Sequence, residues 1–310
     1  MHYSLLLAIA ALFFTSCRNK TATGSAAANA EFPQQLTTFT PYSNNPVFTA
    51  APGDAWDKKI RERGYILYED SLYRMWYTGF KSDDNSDTKL LGYATSTDGI
   101  NWKRHNSNPV FTEKWTEDMS VVHHQGKYYM FAEGVKDVAH HLVSDDGINW
   151  SEQGDLVIIK LNGDTIAGPY GTPTVYVENN KWYLFYERND EAIWLATSED
   201  KLNWKNVQDE PVLKPGPEKF DLGAVAANQV IKYNDRYYMF YHANADPMWN
   251  TKPTPWSSNI AVSDDLVHWK KFSGNPITEG DHSSPVTVFD GKRFRLYTMH
   301  PEAWMYYGSD

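Results

Sequence analysis

The sequence predicts an all-β protein folded as a five-bladed β-propeller, and two recurring segments carry that prediction. The first is an aromatic strand that follows a turn and recurs at intervals of roughly 50 residues. Its five copies are Leu72–Tyr77, Tyr128–Phe131, Trp182–Tyr186, Tyr237–Tyr241 and Phe294–Tyr297. The second is a Ser-x-Asp turn with a Trp four residues after the Asp, found at Asp98, Asp146, Asp200 and Asp265. A repeat made of strands and turns alone is typical of a propeller.

Each repeat predicts one blade of four strands, in which an inner strand A precedes the aromatic strand B and strands C and D follow. Turn residues such as Gln125-Gly126 mark the end of each A strand. The predicted A strands are Tyr65–Tyr68, Ser120–His123, Thr174–Val177, Gln229–Lys232 and Val286–Phe289. Asn-x-Pro-Val-like segments separate the blades. Because the last blade ends near its C strand, we expect the stretch Phe39–Phe48 to supply the missing outer strand and close the ring.

Composition favours one closed unit over residues 38–310. Aromatic residues make up 15% of the 310-residue chain, which is ample for packing between blades. The formal net charge of −10 argues against binding to nucleic acid or to an anionic membrane surface. We expect a monomer whose partner is a small molecule.

The N-terminus predicts export. Residues 1–17 contain an apolar run, Leu5 to Phe14, that is too short to span a membrane and ends just before Cys17. Cys17 is the only cysteine, so internal disulfides are excluded. Its position resembles a bacterial lipobox, which implies a lipid anchor at Cys17 as the sole membrane contact. Residues 18–37 read as a flexible tether, and the Arg18-Asn19-Lys20 run that follows Cys17 favours a periplasmic location.

The strand register predicts which residues surround the central funnel. A strands start and B strands end on the same face of a propeller, while the A–B turns lie on the other face. The predicted starts of the A strands are Glu62-Arg63, Glu117-Asp118, Gly171-Thr172, Ala226-Ala227 and Ser283-Ser284. The predicted ends of the B strands are Thr78, Glu133, Glu187-Arg188, His242 and Met299-His300. Flanking loops add Arg61, Tyr170, Asn228, His282 and Trp249.

The phrases Gly126–Met130 and Ala94–Gly99 resemble the superfamily of five-bladed glycoside hydrolases around families 43, 32 and 117. The resemblance covers roughly residues 40–310 and implies catalytic carboxylates at the starts of the first three A strands. Those positions hold Arg63, Asp118 and either Gly171 or Thr172, so only one carboxylate is retained. The resemblance also allows a structural Ca²⁺ beside a last-blade histidine such as His282; no other cofactor is expected.

The first functional hypothesis is β-elimination on the terminal uronic acid of an anionic oligosaccharide, by a dehydratase or a lyase of a polysaccharide-degrading bacterium. Elimination needs a cation that neutralises the substrate carboxylate, together with a base and an acid. Arg63 would be the cation, and His242 and Tyr170 would transfer protons. The predicted substrate-binding residues are Arg61, Glu62, Arg188, Asn228, His282, His300 and Trp249.

Two alternatives remain open at this point. The chain could be an exo-acting glycoside hydrolase that uses Glu133, Glu187 and Asp118, since the two glutamates hold equivalent positions on adjacent blades. It could instead be a non-catalytic glycan-binding propeller. No metal site is predicted, because the adjacent pairs His123-His124 and His140-His141 point to opposite faces of their strands.

Overall fold

The computed structural model describes residues 31–61, 63–82, 88–278 and 280–310. Five sheets follow one another around a ring, antiparallel except for one parallel pair of outer strands in the third, which confirms the predicted five-bladed propeller. After Glu31, helical structure in this part of the chain is confined to α1 (Gln34–Thr37) and a 3₁₀ turn at Trp249–Thr251. Within the same ranges, no helix has the length and apolar character needed to cross a membrane.

The blades follow the chain in order, except that the first strand, β1 (Phe39–Pro41), belongs to the last blade. Blade 1 contains β2 (Lys59–Ile60), β3 (Tyr65–Glu69), β4 (Leu72–Phe80), β5 (Leu90–Ser96) and β6 (Lys103–Arg104). Blade 2 contains β7 (Glu117–His124), β8 (Lys127–Glu133), β9 (Ala139–Ser144) and β10 (Trp150–Asp155).

The remaining three blades complete the ring. Blade 3 contains β11 (Val157–Ile159), β12 (Gly171–Glu178), β13 (Lys181–Glu187), β14 (Ile193–Ser198) and β15 (Asn203–Asn206). Blade 4 contains β16 (Ala224–Tyr233), β17 (Arg236–Asn244), β18 (Trp256–Ser263) and β19 (Lys270–Lys271). Blade 5 contains β20 (Pro285–Phe289), β21 (Phe294–Met299) and β22 (Ala303–Gly308), followed by β1.

The N-terminal segment closes the ring as expected. Strand β1 pairs antiparallel with β22, with Phe39 opposite Gly308. The preceding residues also pack onto the propeller, because Phe32 and Leu36 are buried in a cluster with side chains of blades 4 and 5. The packed chain therefore begins before residue 38, within the stretch predicted as a tether.

The recurring aromatic strands join neighbouring blades. Trp76 on β4 is fully buried, and its indole Nε1 donates a hydrogen bond of 2.7 Å to the carbonyl of Gly147 in blade 2. The hydroxyl of Tyr297 on β21 likewise donates to the carbonyl of Gly99 in blade 1, at 2.9 Å. Each buried ring contributes packing, and its polar atom finds a partner on the next blade.

The Ser-x-Asp turns are structural. Asp146 Oδ1 accepts hydrogen bonds from the backbone N–H groups of Ile148 and Asn149, both at 2.8 Å. Partial burial acts to raise the pKa of Asp146, but these bonds outweigh it and lower that pKa to about 2. Asp98, Asp200 and Asp265 make the same pair of backbone contacts. These aspartates cap turns, as their spacing suggested.

The asparagines of the Asn-x-Pro-Val segments bind strand C of the blade that precedes them. Asn275 Oδ1 accepts from the N–H of Ile260, and its Nδ2 donates to the carbonyl of the same residue, both at 3.0 Å. Asn108 binds Tyr93 in the same way, and Asn45 binds Met305. One side-chain amide thus replaces a missing strand partner at the outer part of the blade.

We predict that Asn275→Ala lowers the free energy of unfolding by about 1–3 kcal/mol. The substitution leaves the buried N–H of Ile260 without a partner, whereas its C=O still accepts from the N–H of Phe272 at 3.1 Å. Urea denaturation followed by tryptophan fluorescence measures the change. Asn44→Ala, at an exposed position, is the control and should stay near wild type; equal stability of the two variants would contradict this role of Asn275.

Candidate active site

A backbone irregularity repeats where the A strands begin. Arg63, Asp118, Thr172 and Ser284 all have positive φ, at 56°, 48°, 47° and 59°. In blades 2 and 3 the residue lies at a β-bulge, where the register shifts between Glu117 and Ser120 and between Gly171 and Thr174. Positive φ is unfavourable for residues with a Cβ, and such strain concentrates at functional sites. The bulges also show that Thr172 occupies the position in blade 3 that Asp118 occupies in blade 2.

A pocket of about 320 Å³ opens beside these bulges. Carboxylic acids dominate its wall, and the described lining residues supply one fixed cation, at the rim. The lining residues are Arg61, Asp118, Glu133, Asp137, Thr172, Glu187, Asn189, Asp190, His242, Trp249 and Trp256.

Two glutamates from adjacent B strands meet in this pocket. Glu133 ends β8 and Glu187 ends β13, and both are almost fully buried. Thr172 joins them, since its backbone N–H donates to Glu133 Oε2 at 2.9 Å and its hydroxyl lies 3.4 Å from Glu187 Oε1. Glu187 Oε2 also accepts from the N–H of Asp190 at 2.5 Å. The bulge in blade 3 therefore anchors both carboxyl groups.

Burial and negative neighbours favour the protonated form of these glutamates. Burial is the largest cause for Glu133, followed by the charges of Asp118 and Glu117, and together they raise its pKa well above the usual value. Burial, followed by the charge of Asp190, raises the pKa of Glu187 to about 8. The pair therefore retains a proton at neutral pH.

Arg63 lies beneath the pocket and not in its wall. Its side chain is fully buried, and Nη2 donates to the carbonyl of Pro173 at 3.2 Å and to Thr174 Oγ1 at 2.5 Å. Burial lowers the pKa of Arg63, whereas the charge of Asp118 is the largest influence that raises it, followed by that of Glu133. The predicted clamp for a substrate carboxylate is thus a buried counter-ion of the protein's own carboxylates.

His242 and two tryptophans form the wall on the side of blade 4. The Asn228 amide Nδ2 lies 3.2 Å from His242 Nδ1, and an amide nitrogen is a donor, so Nδ1 accepts and Nε2 carries the proton. His242 Nε2 faces Asp190 Oδ1 at 3.7 Å. The His242 and Trp256 rings lie edge to face, with their centroids 5.1 Å apart. The Trp249 and Trp256 rings pack in the same way, with centroids 5.2 Å apart.

Several predicted residues lie elsewhere. The Tyr170 hydroxyl donates to the carbonyl of Leu156 at 2.7 Å within an apolar cluster, so it does not reach the pocket. His282 packs against Trp304, with ring centroids 4.2 Å apart, in a separate cavity of about 520 Å³ near β1 and β22. Asn228 is fully buried behind His242.

The remaining predicted residues divide between the rim and positions away from the pocket. Arg61 stands at the rim, with Nε 3.1 Å from Glu117 Oε2. Arg188 and His300 do not line the pocket. Glu62 and Cys17 lie outside the described residues.

Sequence reasoning missed Asp137, Asn189 and Asp190 as lining residues, and it placed Thr172 at the funnel without giving it a role. Asp190 follows Glu187 by three residues in the turn after β13, where strand periodicity carries no information about direction. Thr172 had a usable signal, because it occupies the same repeat position as Asp118. Among the described residues, no group of three or more His, Cys, Asp or Glu side chains is arranged to bind a metal ion.

Comparisons with known proteins show that the chain is similar to carbohydrate-active enzymes. No family model matches it. A 1,2-beta-oligomannan phosphorylase of Thermoanaerobacter sp. is 26% identical over 215 residues, which span 66% of this chain and 71% of that protein.

Two solved structures share the fold. One is the β-1,2-mannobiose phosphorylase of Listeria innocua with β-1,2-mannobiose, at TM-score 0.66 and 15% identity over 86% of this chain and 95% of that one. The other comes from work on glycoside hydrolases within the GH130 family of mannoside phosphorylases that target β-1,2-mannosidic linkages in Candida mannan. It has TM-score 0.67 and 16% identity over 87% of this chain and 93% of that one.

These findings correct the first functional hypothesis. The similar proteins are phosphorylases and hydrolases of mannosides and not lyases or dehydratases of uronates, so the prediction of β-elimination was wrong. The physical reason lies in Arg63, which is buried against protein groups and is not available to a substrate carboxylate. The glycosidase-like five-bladed fold itself is confirmed. The comparisons support it by naming mannoside phosphorylases and hydrolases, and they do not name families 43, 32 and 117.

We predict that deprotonation of Glu187 lowers the free energy of unfolding as the pH rises. Its pKa is 4.5 in a model peptide and about 8 when folded, so folding takes up a proton between those values. The free energy of unfolding should therefore fall between about pH 4.5 and 8, by on the order of a few kcal/mol.

Chemical denaturation at several pH values measures this slope. Glu187→Gln should flatten the slope, whereas Glu191→Gln, at an exposed position, should leave it unchanged. A wild-type slope retained in Glu187→Gln would contradict the assignment.

Proposed function

We propose that the protein is a glycoside hydrolase that releases a neutral sugar from a β-linked oligosaccharide, with β-1,2-mannosides as the first substrates to test. The observation that carries the proposal is the pair of buried carboxyl groups, Glu133 and Glu187, in one pocket with Asp118. Two carboxyl groups in different protonation states are the usual equipment of glycoside hydrolysis. The similarity to mannoside-active enzymes suggests that the sugar is mannose.

The charge of the pocket favours water over phosphate as the acceptor. Phosphorolysis brings an inorganic phosphate anion next to the sugar, and such an anion needs cationic partners. In the described lining, Arg61 is the only fixed cation, and it lies 3.1 Å from Glu117. Asp118, Asp137 and Asp190 would repel phosphate, and they would repel a uronate for the same reason.

The protonation pattern assigns chemical roles. The Glu133–Glu187 pair retains a proton at neutral pH and is suited to protonate the leaving glycosidic oxygen. Asp118 is the anion that most strongly supports the buried Arg63 cation. An ionised Asp118 is suited to accept the proton of the attacking water.

The tryptophan wall supports a sugar ligand. Trp249 and Trp256 line the pocket on the side of blade 4, next to blade 3, and their rings lie edge to face. An aromatic face packs against the C–H groups of a pyranose ring, while carboxylates accept hydrogen bonds from its hydroxyls. The wall and the acids together suit a neutral sugar.

We further propose that the enzyme is exported, anchored by lipid at Cys17 and monomeric. The apolar run before Cys17 supports export. Metabolic labelling with a palmitate analogue tests the anchor, because Cys17→Ala should abolish the label.

We predict that β-1,2-mannobiose yields mannose at the same rate with and without inorganic phosphate. Product analysis by anion-exchange chromatography distinguishes mannose from mannose 1-phosphate. Asp118→Asn should lower kcat by at least about 10²-fold, whereas Glu191→Gln should not. Formation of mannose 1-phosphate would show that the reaction is phosphorolysis and would overturn hydrolysis. Inactivity on all β-mannosides would overturn the substrate assignment.

A second prediction tests the role of the acid. Glu187→Gln should lower kcat on β-1,2-mannobiose by about 10²–10⁴-fold. A dinitrophenyl β-mannoside needs no protonation of its leaving group, so its hydrolysis should fall by less than about tenfold. An equal loss on both substrates, with rescue by azide, would make Glu187 the base and contradict the assignment. In the wild type, activity should decline as the pH rises through about 8, where Glu187 loses its proton.

A further inference from the structure

The carboxyl pair occupies space that a side chain at position 171 would fill. A Cβ built on Gly171 would lie 2.2 Å from Glu133 Oε2 and 2.6 Å from Glu187 Oε1. Both distances are far below van der Waals contact, so one of the carboxyl groups would have to move. The two glutamates therefore converge on the one residue between them that has no side chain.

Backbone conformation does not explain the glycine. Gly171 is absent from the described residues with positive φ, and it pairs antiparallel with Glu187 at the edge of the bulge. In blade 2, Glu117 occupies the corresponding position and pairs with Glu133. The backbone at this position can therefore carry a side chain. Blade 3 differs because carboxyl oxygens of Glu133 and Glu187 fill the space that a side chain at Gly171 would need.

We propose that Gly171 is a positioning residue, whose missing side chain lets carboxyl groups from blades 2 and 3 share one site. Thr172 completes the arrangement, because its N–H holds Glu133 Oε2 at 2.9 Å in the space beside Gly171. Any side chain at 171 displaces Glu133, Glu187 or both toward the open pocket. The catalytic consequence rests on the proposed hydrolase function, whereas the positioning itself does not.

The test compares Gly171→Ala with Gly168→Ala. A Cβ at Gly168 would meet Val138 Cγ2 at 3.2 Å, the Tyr170 ring at 3.8 Å and the Tyr170 backbone nitrogen at 3.9 Å. Titration by ¹³C NMR of the glutamate carboxyl groups, assigned with Glu133→Gln and Glu187→Gln, reports the pair directly and without a substrate.

In Gly171→Ala, the carboxyl transition near pH 8 should move down by about one pH unit or more. Displaced carboxyl groups gain solvent and lose their mutual repulsion. Gly168→Ala should titrate like wild type. In hydrolysis assays, Gly171→Ala should lower kcat far more than it changes KM.

Unchanged titration in Gly171→Ala overturns the proposal, whatever the activity. A shifted titration in a protein that hydrolyses no mannoside supports the positioning role and overturns only the proposed function. If Gly171→Ala unfolds, adding Glu133→Asp provides the test, because the shorter side chain withdraws from the new methyl group. Recovery of stability beyond the sum of the two single changes supports the proposal, and additive losses overturn it.

Discussion

The candidate active site depends on a buried cation, the Arg63 guanidinium, held beneath a group of acidic side chains. Removing a guanidinium from water is costly, and among the described residues its Nε and Nη1 have no hydrogen-bond partner. The charges of Asp118, Glu133 and Glu187 oppose that cost, although burial remains the larger influence on the pKa of Arg63. The reverse also holds, since carboxyl groups so close together would repel one another strongly without a cation below them.

The propeller supplies this arrangement by repeating one backbone feature with different side chains. The same positive-φ conformation presents a cation at Arg63, a carboxylate at Asp118 and a hydroxyl at Thr172. The B strands contribute Glu133, Glu187 and His242 from the paired positions. Inter-blade hydrogen bonds from buried aromatic rings keep the blades in place, so residues far apart in sequence converge at one end of the ring.

Periodicity predicted the parts of the molecule that repeat. Aromatic strands, capped turns and ring closure by Phe39–Pro41 follow from spacing and turn chemistry, and the register brought Asp118, Glu133, Glu187 and His242 to one face. Register gives the face of a residue but not its depth along the axis, so Arg63 was placed in the wall when it lies below it. Tyr170 and Asp190 lie outside regular strands, where no period constrains the direction of a side chain.

The position of Arg63 also explains why the sequence suggested elimination. An arginine where related propellers are expected to carry a carboxylate has two possible partners, an anionic substrate or anions of the protein itself. Sequence alone cannot separate them, because both require the same residue in the same place. Burial distinguishes the two partners, because the guanidinium is inaccessible to a substrate. Its hydrogen bonds go to Pro173 and Thr174, and its charge interacts with the charges of Asp118 and Glu133. Once that cation is assigned to the protein, the pocket above it is acidic, and a neutral sugar fits it better than an anionic one.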